Sequence, residues 1–184
     1  MFASAACPGS GVGPVPGTVL GIDPGLTRCG YAVLRQSGTS VGALAIGVIR
    51  TPSGDDLAER LAALAAEVAS LIAEHRPEAI ALEQVFFQKN VRTAMSVGQA
   101  SGVVLALAAS AGCTVHQYTP SQVKSTVAGW GGAEKQQVAR MVQQRLRLSR
   151  PPQPADATDA AAIALCHCSI APFAAAVAGR GVRQ

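Results

Sequence analysis

Three short apolar runs follow one another near the start of the chain, at residues 19–23, 30–35 and 43–50, separated by stretches that carry Gly, Ser and Thr. Runs this short, bounded by turn-forming residues, suit strands better than helices. Links this brief leave little choice but hairpins, so the chain is expected to open with a three-stranded antiparallel meander. The period then changes. "DDLAERLAALAAEVASLIAEH" carries apolar residues at 57, 61, 64, 68, 71 and 72, which is a helical spacing. Asp55 and Asp56 stand at its start, where acids suit the helix dipole, and Pro77 ends it.

Strands and helices alternate from there. "AIALE" (79–83) is an apolar run that finishes on Glu83, and a helix is expected over 91–111, with Gly98 and Gly102 allowing another backbone to come close. "TVHQY" (114–118) reads as the fifth strand. A short helix from Pro120, a "GWGG" break, a helix from Ala133 to Leu148, a proline-rich link and a last helix from Pro154 complete the order. The expected fold is α/β, a five-stranded mixed sheet flanked by helices, in the order of a ribonuclease H-like architecture.

At 184 residues the chain has room for one domain with a substantial core. Its 49% hydrophobic and 14% charged residues exclude disorder throughout. The longest apolar stretches, near 102–109 and 160–166, are too short to span a bilayer, so no membrane partner is expected. Residues 1–17 read as a flexible Gly/Pro tail without the pattern of a signal peptide, 18–171 as the domain, and 172–184 as a second flexible tail. Five cysteines without a CxxC pair suit a reducing cytoplasm. Cys166-His167-Cys168 lacks a second half with ligand spacing and reads as buried thiols in a helix. Charge is uneven: residues 1–90 carry −2 and residues 91–184 carry +6. A basic half suits either a solvated face or a polyanion.

Eleven acids are few enough to sort. Six of them, Asp55, Asp56, Glu59, Glu67, Glu74 and Glu78, belong to one polar helix face or its ends. Asp23 and Glu83 instead end apolar strands, where a buried carboxylate without a cation would cost several kcal/mol. Asp156 and Asp159 in "PADATDAA" are three apart, about 60° apart around a helix. Capping the helix is an alternative for Asp156. The loop "GIDPGLTRCGYAV" itself suits two sites, a phosphate cradle opened by its glycines or a metal ligand at Asp23. Four converging carboxylates would repel one another without cations, and oxygen ligands suit Mg²⁺ or Mn²⁺. Two such ions roughly 4 Å apart can activate water and stabilise a leaving oxygen, with Asp23 bridging them.

Other residues point to nucleic acid. Phe86 and Phe87 follow Glu83 in a polar segment, where one exposed ring, with Phe86 preferred, could stack on or wedge between bases. Lys124 and Lys135 bracket "STVAGWGGAE", a glycine-rich loop leading into a helix. In that helix Val138, Met141, Val142 and Leu146 share an inner face, leaving Lys135, Arg140 and Arg147 outward. Trp130, between glycines, is poorly placed for a core and suits contact with DNA or a partner.

Four segments, "GIDPGLTRCGYAVL", "ALEQVFFQKNVRTAMSVGQASGVV", "TPSQVKSTVAGWGGAEKQQVARMV" and "PADATDAAAIALCHC", closely resemble the RuvC family of Holliday-junction resolvases. The similarity covers about residues 19–170. It implies a ribonuclease H-like homodimer that resolves four-way DNA junctions in recombination and repair by paired, symmetric nicks. It places the family's catalytic, metal-holding acids on Asp23, Glu83, Asp156 and Asp159, its substrate-binding lysines on Lys124 and Lys135, and its base-stacking phenylalanine on Phe86. Some members carry histidine where Asp156 stands. The resemblance also implies a junction-binding tetramer and a branch-migration motor as partners. Rival readings are a ribonuclease of the same fold acting on structured RNA, an actin-like nucleotide-binding protein, and an inactive junction-binding module. The actin-like reading would need a second lobe and a second phosphate loop. A dimer is expected on physical grounds too, because two symmetric cuts need two sites about a two-fold axis, and the 91–111 helix is the candidate contact.

Overall fold

The computed structural model describes residues 15–84 and 91–180. Three antiparallel strands, β1 (Val15–Asp23), β2 (Arg28–Ser37) and β3 (Ser40–Arg50), form the expected meander. Helix α1 (Leu57–His75) then returns the chain to β4 (Pro77–Glu83), which pairs parallel with β1. Helix α2 (Val91–Ser110) leads to β5 (Thr114–Tyr118), parallel to β4. The sheet order is β3-β2-β1-β4-β5. Three helices close the chain: α3 (Pro120–Ala128), α4 (Lys135–Arg145) and α5 (Ala155–Arg180).

Alternation along the central strands sends successive side chains to opposite faces. Leu20, Ile22, Val33, Ile80 and Leu82 pack against Leu64 and Val68 of α1 and Ala100 and Val104 of α2. Val19, Ala32, Leu34 and Ala81 face the other way, onto α5, which is itself covered by Val123 and Val127 of α3 and Val138 and Val142 of α4. Helix α5 is therefore enclosed on two sides. Every residue from Ala160 to Cys168 is buried, which explains why this segment shows apolar residues all round rather than a stripe.

Alanine and glycine let α5 come unusually near the sheet. A Cβ on Gly21 of β1 would overlap the Ala160 carbonyl and the Ala164 methyl, and one on Gly30 of β2 would overlap the Asp156 carbonyl. Backbone thus lies almost on backbone at both points.

Several boundaries differ from the expected ones. Strand β1 begins at Val15, inside the segment read as a tail to residue 17, because Val15 pairs with Pro77 and the Gly17 N–H donates to the Glu78 carboxylate at 2.8 Å. Glu78 accordingly lies in β4 and not on a helix face. Helix α5 continues to Arg180, past residue 171 where a tail was expected, carried by the high helix propensity of its alanines. Helix α4 is shorter than 133–148. It starts after Glu134, whose N–H donates to Gln137 Oε1 at 2.9 Å, and it has ended before Arg147, which adopts the left-handed conformation at φ 54°. Among the described residues, no helix is long and apolar enough to cross a membrane.

Gly21→Ala is expected to lower the unfolding free energy by about 1–3 kcal/mol, because the added methyl must displace helix backbone. Gly42→Ala, on β3 with open space around its Cβ, is expected to stay within about 0.5 kcal/mol. Urea denaturation of both variants checks this; equal midpoints would contradict the packing described.

Candidate active site

Residues Ile22 and Leu82 are partners in the parallel β1–β4 pair, so Asp23 and Glu83, one position further on, end two adjacent strands side by side. By alternation with Gly21 and Ala81, both point to the face covered by α5. Gly30 pairs with Asp23 across β1–β2 and lies under the backbone of Asp156. Helix α5 therefore enters directly over the strand ends, and its first turns carry Asp156 and Asp159 to the same place.

Asp23 feels the charge of the other three carboxylates. Burial pushes Asp23 up to about 7, and the charges of Asp159, Glu83 and Asp156 push in the same direction. Glu83 is raised as well, first by burial and then by Asp159. The two helix acids have basic partners. Asp156 Oδ2 accepts from Arg28 Nε at 2.8 Å, and Asp159 Oδ2 accepts from Lys135 Nζ at 3.1 Å. Lys135 is held in its charged form chiefly by that hydrogen bond. Its charge and that of Lys124 also oppose the rise at Glu83.

Such a donor set, four carboxylates and no sulfur or imidazole, fits a hard divalent cation coordinated by oxygen. Among the described residues no three His, Cys, Asp or Glu side chains are closed into a metal cage. Asp156 and Asp159 are turned instead to Arg28 and Lys135.

Elsewhere the candidates separate. Lys124 is half-buried on α3, and Lys135 and Arg140 are exposed on α4. Val138 and Val142 of α4 and Leu146 just after it are buried, as the spacing predicts, while Met141, expected on the same face, is only half-buried. Phe86 and Phe87 lie outside the described residues. Arg145 is half-buried, and its Nη2 donates to Ser169 Oγ at 2.7 Å, tying α4 to α5. Cys166 and Cys168 are free and buried, and His167 Nδ1 is 2.8 Å from the Tyr118 hydroxyl. Burial pushes His167 down to about 4, so this trio is a packed, uncharged group. Arg28 is the residue that sequence reasoning undervalued. Its signal was its place as the sole base in the loop after β1.

A family model described as crossover junction endodeoxyribonuclease RuvC matches residues 19–167. The chain belongs to that family. A RuvC of Heliobacterium modesticaldum is 49% identical over 148 residues, covering 80% of this chain and 91% of the relative. One from Salinispora arenicola is 52% identical over 150 residues, covering 81% and 86%. Among solved structures, Thermus thermophilus RuvC in complex with a Holliday junction substrate superposes with a TM-score of 0.82 at 39% identity, covering 85% of this chain and 96% of that one. The yeast mitochondrial resolvase Ydc2, at 17% identity and a TM-score of 0.65, shares the fold. The chain is thus a crossover junction endodeoxyribonuclease, a hydrolase of DNA phosphodiesters, with the ribonuclease H-like fold.

The raised pKa of Asp23 has a consequence for the metal-free protein. Folded, Asp23 holds its proton to about pH 7; unfolded, it releases it near its ordinary value of 3.8. Between those limits the folded chain binds more protons, so stability falls as pH rises through the window. In EDTA, Asp23→Asn is expected to remove this slope and to be more stable than the native chain at pH 8 by on the order of 2–4 kcal/mol, with the gap closing near pH 4. Denaturation at a series of pH values checks it, and parallel pH profiles would contradict it.

Proposed function

We propose that Asp23, Glu83, Asp156 and Asp159 hold two divalent ions, Mg²⁺ or Mn²⁺, and that the chain resolves four-way junctions by paired symmetric nicks. The observation that carries this is the meeting of two strand-end carboxylates with two carboxylates of α5, at a point where Asp23 feels the charge of all three others. Bound ions would supply an activated water and a counter-charge for the leaving oxygen.

The chain's own residues do the rest. Asp23, central and the more buried of the strand-end pair, would be the shared ligand, with Glu83 and the two α5 acids as the others. Arg28 and Lys135 hold the α5 carboxylates in place before ions arrive. Once released from Asp159, the exposed Lys135 ammonium is free to bind a phosphate beside the cut, with Lys124 on the neighbouring helix. Phe86, three residues beyond Glu83, is assigned the wedge between bases at the junction centre.

A second copy of the chain belongs on α2. Met95, Gly98, Gly102, Ala106 and Ala109 are exposed on that helix, and no charged residue occurs from 93 to 110. Met95 is 62% exposed, and Cβ atoms on Gly98 and Gly102 would meet nothing. An uncharged face this free of bulk suits helix-to-helix contact about a two-fold axis, which is what two symmetric cuts need. The junction-binding tetramer and branch-migration motor are the further partners in this reading, and the buried free thiols suit a cytoplasmic setting.

The test is cleavage of a synthetic mobile four-way junction, a linear duplex and a structured RNA with Mg²⁺ or Mn²⁺. Paired nicks in the junction alone are expected. RNA cleavage with an intact junction would overturn the reading. Asp23→Asn is expected to lose at least about a thousandfold in rate while still binding the junction. Substantial residual nicking would remove Asp23 from the site. Phe86→Ala is expected to slow cutting more than it weakens binding.

A further inference from the structure

A depression of about 270 Å³ lies between the end of α3 and the outer side of α4, walled by Trp130, Gln137, Arg140, Met141 and Gln144. Trp130 is the chain's only tryptophan, and it is 58% exposed. Its loop is held firmly. A Cβ on Gly132 would overlap the six-membered ring of the indole, and one on Gly131 would overlap Ser121 Oγ at the start of α3. The ring therefore lies against Gly132 on a loop that touches α3, with more than half of the residue open to solvent. Arg140 is exposed and has no ion pair among the described residues.

We propose that this depression grips the deoxyribose–phosphate backbone of a junction arm, the indole covering a sugar and the Arg140 guanidinium pairing with a phosphate. The assignment rests on the reading of the chain as a junction nuclease and adds a second contact beyond the cut. Charge selects the occupant. Residues 130–150 contain Lys135, Arg140, Arg145, Arg147 and Arg150 against Glu134 alone, which suits a polyanion and not an acidic-free apolar peptide. Continuity with the active site selects the place. Trp130 is five positions before Lys135, whose ammonium touches Asp159, a reach of at most about 17 Å of extended chain. A DNA strand advances about 3.4 Å per nucleotide, so the depression falls within about five nucleotides of the cut. A flat indole and a fork-shaped guanidinium side by side match the alternation of sugar and phosphate along one strand.

The single tryptophan makes the test direct. The native chain is titrated in EDTA with a fluorescently labelled four-way junction, following label anisotropy for binding and tryptophan emission for the depression. Anisotropy is expected to rise together with a shift of the emission to shorter wavelength, as the indole leaves water. A rise in anisotropy with unchanged emission would overturn the assignment and leave the nuclease reading intact; no rise in anisotropy would overturn both. Trp130→Ala is expected to weaken junction affinity about fivefold to tenfold, with the cutting rate at saturating DNA unchanged. Unaltered affinity would likewise overturn the assignment.

Discussion

The near-contact of the α5 backbone with β1 and β2 is the constraint on which the rest depends. Gly21 and Gly30 leave no room for a side chain between sheet and helix. This does more than fill a core. It sets the entry of α5 above the ends of β1 and β4, so the two acids of its first turns meet the two acids that end those strands. Were the helix held off by even one methyl, Asp156 and Asp159 would move away from Asp23 along with it. Small residues in the core and carboxylates at the site are thus parts of one arrangement.

That arrangement gathers negative charge where water is partly excluded. The protein meets the cost in two ways. Arg28 and Lys135 each hold one α5 carboxylate, and Asp23 keeps its proton to about pH 7. Neither is a cage closed for a metal. Both leave carboxylates that a divalent cation would draw off, Asp23 by losing its proton and the α5 pair by exchanging partners. Lys135 would then gain freedom to meet DNA as its carboxylate partner turns away, which links the filling of the site to the grip on substrate.

Much of this was legible in the sequence, for physical reasons. The apolar runs and the helical period at 57–72 reported the sheet and its layers, because burial on one face or two leaves a period in the sequence. Asp23 and Glu83 stood out because a charge at the end of an apolar strand needs a partner. Boundaries were less legible where side chains cap or pair across the fold: Glu78 with Gly17, and Gln137 with Glu134. Arg28 was hidden because its partner is 128 residues away. The tie from Arg145 to Ser169 is likewise not local in sequence, and only the fold brings the two together. Gly21 reads as one more position of an apolar strand, while its constraint lies in the helix packed upon it.

The central claim is that the four carboxylates form one charge-coupled site for divalent ions, with Asp23 shared. Calorimetric titration of Mn²⁺ into the metal-free chain near pH 6.5, repeated in buffers of different ionisation enthalpy, counts protons released on binding. The account predicts release of a substantial fraction of a proton from the native chain, and both weaker binding and loss of that release in Asp23→Asn. Equal affinity and equal proton release in the two proteins would contradict it.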